Sequence, residues 1–122
     1  MASVRYFVRD VDASLAFYER LGFKLAARWG PPFAIVTKDG LELWLSGPGT
    51  SAARPMPDGR LPEPGGWNRI VVELCDLTAT YEALLASGVT FRNEPIKGPG
   101  GAQLLAEDPD GNPIELFQPS GD

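Results

Sequence analysis

The chain of 122 residues contains no histidine and only one cysteine. Without histidine there is no Ser–His or Cys–His pair, which excludes nucleophilic catalysis of that kind. With Cys75 alone, a disulfide within the chain is impossible. At the end of an apolar strand, Cys75 reads as a small buried hydrophobe. An excess of cations is also missing: 11 Lys and Arg stand against 16 Asp and Glu, a net charge of −5. Nucleic-acid binders carry basic patches, so nucleic acid is not an expected partner. The acidic balance serves solubility first and a cationic small molecule second. No apolar run approaches the ~20 residues that span a bilayer. No charged-then-apolar leader opens the chain. A membrane is therefore not an expected partner, and the expected location is the cytoplasm.

What the chain does have is one unit written twice. Asp10-Val11-Asp12-Ala13-Ser14-Leu15 aligns without gaps on Asp76-Leu77-Thr78-Ala79-Thr80-Tyr81, an offset of 66 positions. Gly22 then falls on Gly88 and Phe23 on Val89. Upstream, the alternating Val4, Tyr6 and Val8 match Ile70, Val72 and Leu74. The length is that of one domain, and half of it, about sixty residues, would be marginal alone. The two copies should therefore pack together. A hydrophobic fraction of 43% is ordinary for a globular protein.

Residues 3–9 alternate as a half-buried strand. Asp10 or Asp12 can cap a helix ending near Leu21, with Val11, Leu15 and Tyr18 on one face and Gly22 as the stop. Strands are expected at 23–29, 33–38 and 41–46, the last two joined by a tight Asp39-Gly40 turn. Residues 47–66 are rich in proline and glycine and should build neither strand nor helix. A solvated connector is the simpler reading of them and a lid the alternative. The second copy is expected to run as a strand at 67–75 and a helix at 77–87. Leu77, Tyr81, Leu84 and Leu85 would form that helix's apolar face. Strands near 89–92, 102–107 and 113–118 follow, with a hairpin at Asp110-Gly111. Gly98, Gly100 and Gly101 lack a following Lys-Ser or Lys-Thr and read as a hairpin connection, not a phosphate loop. The architecture is a single α+β domain of two pseudo-symmetric βαβββ modules, 1–46 and 67–122, joined by the linker 47–66.

Asp108-Pro109-Asp110-Gly111-Asn112-Pro113-Ile114-Glu115-Leu116 resembles the closing hairpin of the vicinal oxygen chelate superfamily. Glyoxalase I, extradiol dioxygenases, fosfomycin-resistance enzymes and bleomycin-resistance proteins belong to it. Asp10 through Phe23, with Phe17-Tyr18 and Leu21-Gly22-Phe23, resembles its opening unit. The resemblance covers essentially the whole chain. It implies two βαβββ modules whose sheets curl round a cleft, usually in a homodimer. It also implies where metal ligands would stand: the two family histidines fall on Ser3 and Arg69, and the two carboxylates on Glu42 and Glu115. Only two of the four ligands remain. Serine is a poor metal ligand and arginine, a permanent cation, cannot be one. Arg69 could instead pair with Glu42 or Glu115. A family-type metal is therefore not expected, and neither are glyoxalase, dioxygenase or fosfomycin-transferase activities. No other cofactor is implied.

Strand alternation says which side chains share a face with these positions. Arg5 and Phe7 go with Ser3, Trp44 with Glu42, Trp67 and Val71 with Arg69, and Pro113 and Phe117 with Glu115. Together Ser3, Arg5, Phe7, Glu42, Trp44, Trp67, Arg69, Val71, Glu115 and Phe117 form the candidate ligand-binding set. Trp44 and Trp67 fit either a ligand platform or ordinary packing. For Phe7, Phe117, Trp29 and Phe33 packing is the simpler reading, with Trp29 and Phe33 within reach of the cleft mouth. The expected function is metal-free binding, in a homodimer, of a small planar or aromatic natural product or antibiotic, protecting by sequestration. The strand Ile114-Glu115-Leu116 resembles the enzyme branch's version more than the resistance branch's, so bleomycin itself is not the implied ligand. A metal-independent enzyme with Glu42, Glu115 or Arg69 as catalytic groups is the second reading. A structural or regulatory module without a ligand is the third.

Overall fold

The computed structural model describes residues 2–120. By compactness the chain divides into one unit ending at Gly65 and another beginning at Gly66. Both are α+β.

In the first unit β1 (Val4–Phe7) leads into α1 (Val11–Arg20), followed by β2 (Lys24–Trp29), β3 (Phe33–Lys38) and β4 (Leu41–Ser46). The sheet order is β1-β4-β3-β2, with β1 parallel to β4 and the other pairs antiparallel. Asp10 caps α1 by accepting from the amides of Asp12 at 3.0 Å and Ala13 at 3.3 Å. Val11, Leu15, Phe17 and Tyr18 bury against the sheet, where Ala34, Val36, Leu43 and Leu45 have no exposure. The turn between β3 and β4 is the tight hairpin expected: Asp39 and Gly40 both have positive φ, 51° and 83°, and Lys38 pairs Leu41. The connector after β4 contains one feature its composition did not suggest, a 3-10 turn over Ser51–Ala53. The amides of Ala53 and Arg54 close it on the carbonyls of Thr50 and Ser51. These three residues lie between the prolines and glycines rather than among them.

In the second unit β5 (Ile70–Glu73) and α2 (Leu77–Ala86) precede β6 (Thr90–Phe91), β7 (Ile96–Gly98), β8 (Gly101–Glu107) and β9 (Pro113–Pro119). The order is β5-β9-β8-β6, with β7 also paired to β8 and β5 parallel to β9. The repeat is structural: β1 and β5, and α1 and α2, begin 66 positions apart, and Asp10 and Asp76 are the two helix caps. Gly22 and Gly88 both take positive φ after their helices, 94° and 85°. Val72, Leu77, Leu84, Leu104, Ala106, Ile114 and Leu116 form this unit's core.

Three expectations need correction here. β7 was not foreseen, because three residues between two prolines carry too little pattern. It exists because Gly98 and Gly101 pair across Pro99-Gly100 in a tight hairpin. Leu85 is exposed, so the apolar face of α2 is narrower than its sequence suggests. β5 stops at Glu73, which leaves Cys75 exposed in the turn before the Asp76 cap instead of buried in a strand. The hairpin expected at Asp110-Gly111 is present and turns through a five-residue loop, Asp108–Asn112. The buried Asp108 side chain accepts from the amides of Asp110 and Asn112, each at 2.9 Å, and from Asn112 Nδ2 at 2.8 Å.

The caps supply a stability test. Asp10→Ala orphans two helix amides and should cost about 1 kcal/mol. For a chain of this size that lowers the melting temperature by roughly 3–6 °C. A circular-dichroism melt that does not move would show that the Asp10 hydrogen bonds contribute nothing.

Candidate functional site

In the first unit the helix seals one face of the sheet, so alternation turns Glu42, Trp44 and Ser46 to the other. Register places Arg5 beside Trp44 and Phe7 beside Ser46, with Ile35 and Phe33 across β4 from them. Glu42 Oε1 accepts from Ser3 Oγ at 3.2 Å and from Trp44 Nε1 at 3.1 Å. The indole is thus tied by its only polar atom. Phe33 meets it edge-on, with centroids 5.8 Å apart at 88°, and Trp29 lies 5.5 Å beyond Phe33. Trp29 is 59% exposed, so the row of rings ends in solvent. The Arg5 guanidinium sits 5.0 Å from the Trp44 ring centroid and 5.9 Å from that of Phe33. Its Nη1 donates to Ser46 Oγ at 2.8 Å.

The second unit arranges its corresponding face differently. Arg69 donates through Nε at 3.1 Å and Nη2 at 2.9 Å, both to Glu115 Oε1, and Nη1 donates to the Trp67 carbonyl at 3.4 Å. The pair is partly shielded, with side-chain exposures of 32% for Arg69 and 13% for Glu115. Val71 stands beside Glu115 and Glu73 beside Phe117. A second ion pair joins Arg92 Nε to Glu107 Oε2 at 2.8 Å. The remaining Arg92 nitrogens bind the carbonyls of Gly66 at 2.9 Å and Gly111 at 3.0 Å. The Arg92 guanidinium lies 4.5 Å from the Trp67 ring centroid.

Ser3, Arg5, Phe7, Glu42 and Trp44 are therefore brought together in the first unit. Arg69, Val71, Glu115 and Phe117 are brought together in the second. Trp67 departs from the period-two argument: β5 begins only at Ile70, and Trp67 is 70% exposed. What places it is Arg92. That residue escaped the sequence reading because its carbonyl partners lie 26 and 19 residues away and carry no side-chain signal. Ser46 was reachable, since it continues the Glu42–Trp44 alternation. Phe33 and Trp29, read as packing, pack in a row with Trp44, of which Trp29 is the exposed end. Two pockets, of about 460 Å³ near the start of α1 and about 390 Å³ near the start of α2, include none of these residues. Neither has an aromatic wall.

A mixed sheet with one covering helix, present twice, with a parallel first and last strand in each copy, defines the α+β glyoxalase class of fold. The chain belongs to the Glyoxalase/Bleomycin resistance protein/Dioxygenase superfamily, whose family model matches residues 1–116. Among solved structures it is similar to a superfamily member from Sphaerobacter thermophilus DSM 20745, with 29% identity and TM-score 0.73, covering 97% of this chain and 98% of that one. It is also similar to a bleomycin-binding protein complexed with bleomycin, with 26% identity and TM-score 0.64, covering 98% of each chain. The fosfomycin resistance protein FosX from Listeria monocytogenes shares the fold, with TM-score 0.74 and 15% identity over 98% of this chain and 93% of that one. No curated protein sequence matches.

The donor set does not fit a metal of the kind the superfamily's enzymes use. Such an ion takes three or more protein donors from imidazole, thiolate and carboxylate. The first unit offers Glu42, bonded by a serine; the second offers Glu115, paired with the permanently cationic Arg69, which would repel a metal ion. Among the described residues no three or more His, Cys, Asp or Glu side chains are grouped to hold an ion. Elemental analysis of protein purified without chelator should find well under one equivalent of zinc, nickel, manganese or iron. A near-stoichiometric metal would overturn this reading of the site.

Proposed function

We propose that this protein binds a planar aromatic organic molecule on the ring-lined face of its first sheet, without a metal, and acts by sequestering it. The observation that carries the reading is Trp44, tied to Glu42 through its indole N–H and continued by Phe33 and Trp29. A platform already fixed loses little conformational freedom when a ligand arrives. Stacking on an indole adds about 0.5–1.5 kcal/mol beyond area burial. The bleomycin-binding relative supports the idea that this fold can hold a small molecule without further apparatus. Capture of a toxic natural product or antibiotic is the role that needs only such a surface.

One observation favours chemistry as the second reading. Glu42 Oε1 takes both hydrogen bonds, and no protein donor among the described residues binds Oε2. That oxygen could act as a general base. Arg69 and Glu115 serve this reading less well, since each engages the other. Turnover of a bound compound that is lost in Glu42→Gln, with binding retained, would make the protein an enzyme.

The binder reading is tested by screening planar aromatic compounds against intrinsic tryptophan fluorescence. For a compound that binds, Trp44→Ala should weaken affinity at least tenfold, about 1.4 kcal/mol. Trp67→Ala, removing a ring that is not part of this row, should cost less. A folded Trp44→Ala variant that binds like the parent would remove the platform from the argument.

We also propose that the protein works as a cytoplasmic homodimer. Light scattering at micromolar concentration should then give about twice the chain mass of 13.1 kDa. A mass of one chain across that range would refute it.

A further inference from the structure

We infer that the ligand carries an anionic group and that Arg5 receives it, so that the ligand class is the planar aromatic carboxylates. The inference rests on the binding reading above and narrows it. Its starting point is how this chain spends its arginines. Arg28 pairs with Asp12 at 2.6 Å, Arg60 with Asp58 at 2.7 Å, Arg69 with Glu115 at 2.9 Å and Arg92 with Glu107 at 2.8 Å. Each of these cations is neutralised by its own carboxylate. Arg5, like Arg20 and Arg54, has no carboxylate within ion-pair distance among the described residues, and of these three it alone lies against aromatic rings.

What holds Arg5 is uncharged. Nη1 donates to the buried Ser46 hydroxyl, and the guanidinium rests against Trp44 and Phe33. The Nε and Nη2 donors have no protein acceptor among the described residues, and the residue is exposed. A guanidinium is a rigid fork whose spacing matches the two oxygens of a carboxylate. Here the fork is oriented beforehand against Trp44, at one end of the row that continues through Phe33 to the exposed Trp29. A flat ligand lying along the open part of that row can therefore present an in-plane carboxylate to it.

Two charges oppose this assignment. The net charge of −5 disfavours anions in general. It is spread over the surface and screened beyond about 8 Å at physiological salt, whereas a contact pair is not. Glu42 is closer, one alternation along β4 from Trp44. Its Oε1 faces Ser3 and the indole N–H, while Arg5 bonds Ser46 on the opposite side of Trp44. The geometry thus orders the face as carboxylate, indole, guanidinium, which directs a ligand's anion to the Ser46 end.

Three isosteric probes test the inference by equilibrium dialysis: 2-naphthoate, neutral 2-naphthamide and cationic 2-naphthylmethylammonium. The naphthoate should bind about tenfold or more tighter than the amide. That advantage should shrink at high salt and vanish in Arg5→Gln, with Arg5→Lys keeping part of it. If the amide equals the naphthoate, or the ammonium binds best, the anion inference is wrong while planar binding stands. If a folded Arg5→Gln keeps the preference, Arg5 is not the receiver. If none of the three binds at millimolar concentration, both the inference and the binding reading fall. Should Arg5→Gln not fold, the order of the probes and its salt dependence in the unmodified protein still decide.

Discussion

Sealing one face of each sheet with a single helix is the constraint on which the rest of this protein depends. Leu43, Leu45, Ala34 and Val36 in the first unit have no exposure, and neither do Leu104, Ala106, Ile114 and Leu116 in the second. Truncating a leucine in such a place costs about 2–5 kcal/mol, since the cavity collapses only partly. These positions hold the register, and the register leaves no choice about their neighbours. Every residue between two sealed ones must face the other way. Glu42, Trp44 and Ser46 are therefore companions because Leu43 and Leu45 are core, and Glu115 and Phe117 are companions because Ile114 and Leu116 are.

The same plan is used twice, with different contents. In the first unit the carboxylate on the last strand accepts from a serine and an indole, which keeps its negative charge and fixes a ring. In the second the carboxylate accepts two hydrogen bonds from one arginine, which neutralises it. The superfamily resemblance places histidines where Ser3 and Arg69 stand. In the structure the hydroxyl at the first of these positions is a polar anchor for Glu42, and the permanent cation at the second is half of an ion pair with Glu115. The ring row grows beside the anchor, not beside the ion pair. Within the first unit this concentrates aromatic surface, an uncompensated cation and a partly free carboxylate on one sheet face.

Arg92 shows how a structural cation differs from a candidate binding one. Its nitrogens bind Glu107 and the carbonyls of Gly66 and Gly111, and the exposed Trp67 stacks on what remains. The fork is consumed in joining the start of the unit to the β8–β9 loop. Arg5 also lies on a tryptophan, yet it spends a single hydrogen bond on a hydroxyl. Both guanidiniums sit close to an indole; only the second has donors left to offer.

The sequence by itself determined what local chemistry decides. The Asp10 and Asp76 caps, the Asp39-Gly40 turn, the glycines after each helix and the order of strands follow from hydrogen bonds and dihedral limits within a few residues. So does the face shared by Glu42 and Trp44, because period two needs no distant partner. Tertiary structure decided where a strand ends and which far residue answers a side chain. β5 starts at Ile70 and stops at Glu73, which frees Trp67 and exposes Cys75, though the apolar pattern runs past both. Arg69 chose Glu115 over Glu42, and Arg92 found carbonyls that no side-chain pattern marks. Strand pairing and charge partnering are settled between segments distant in the chain, and one segment's periodicity holds no information about its partner's position.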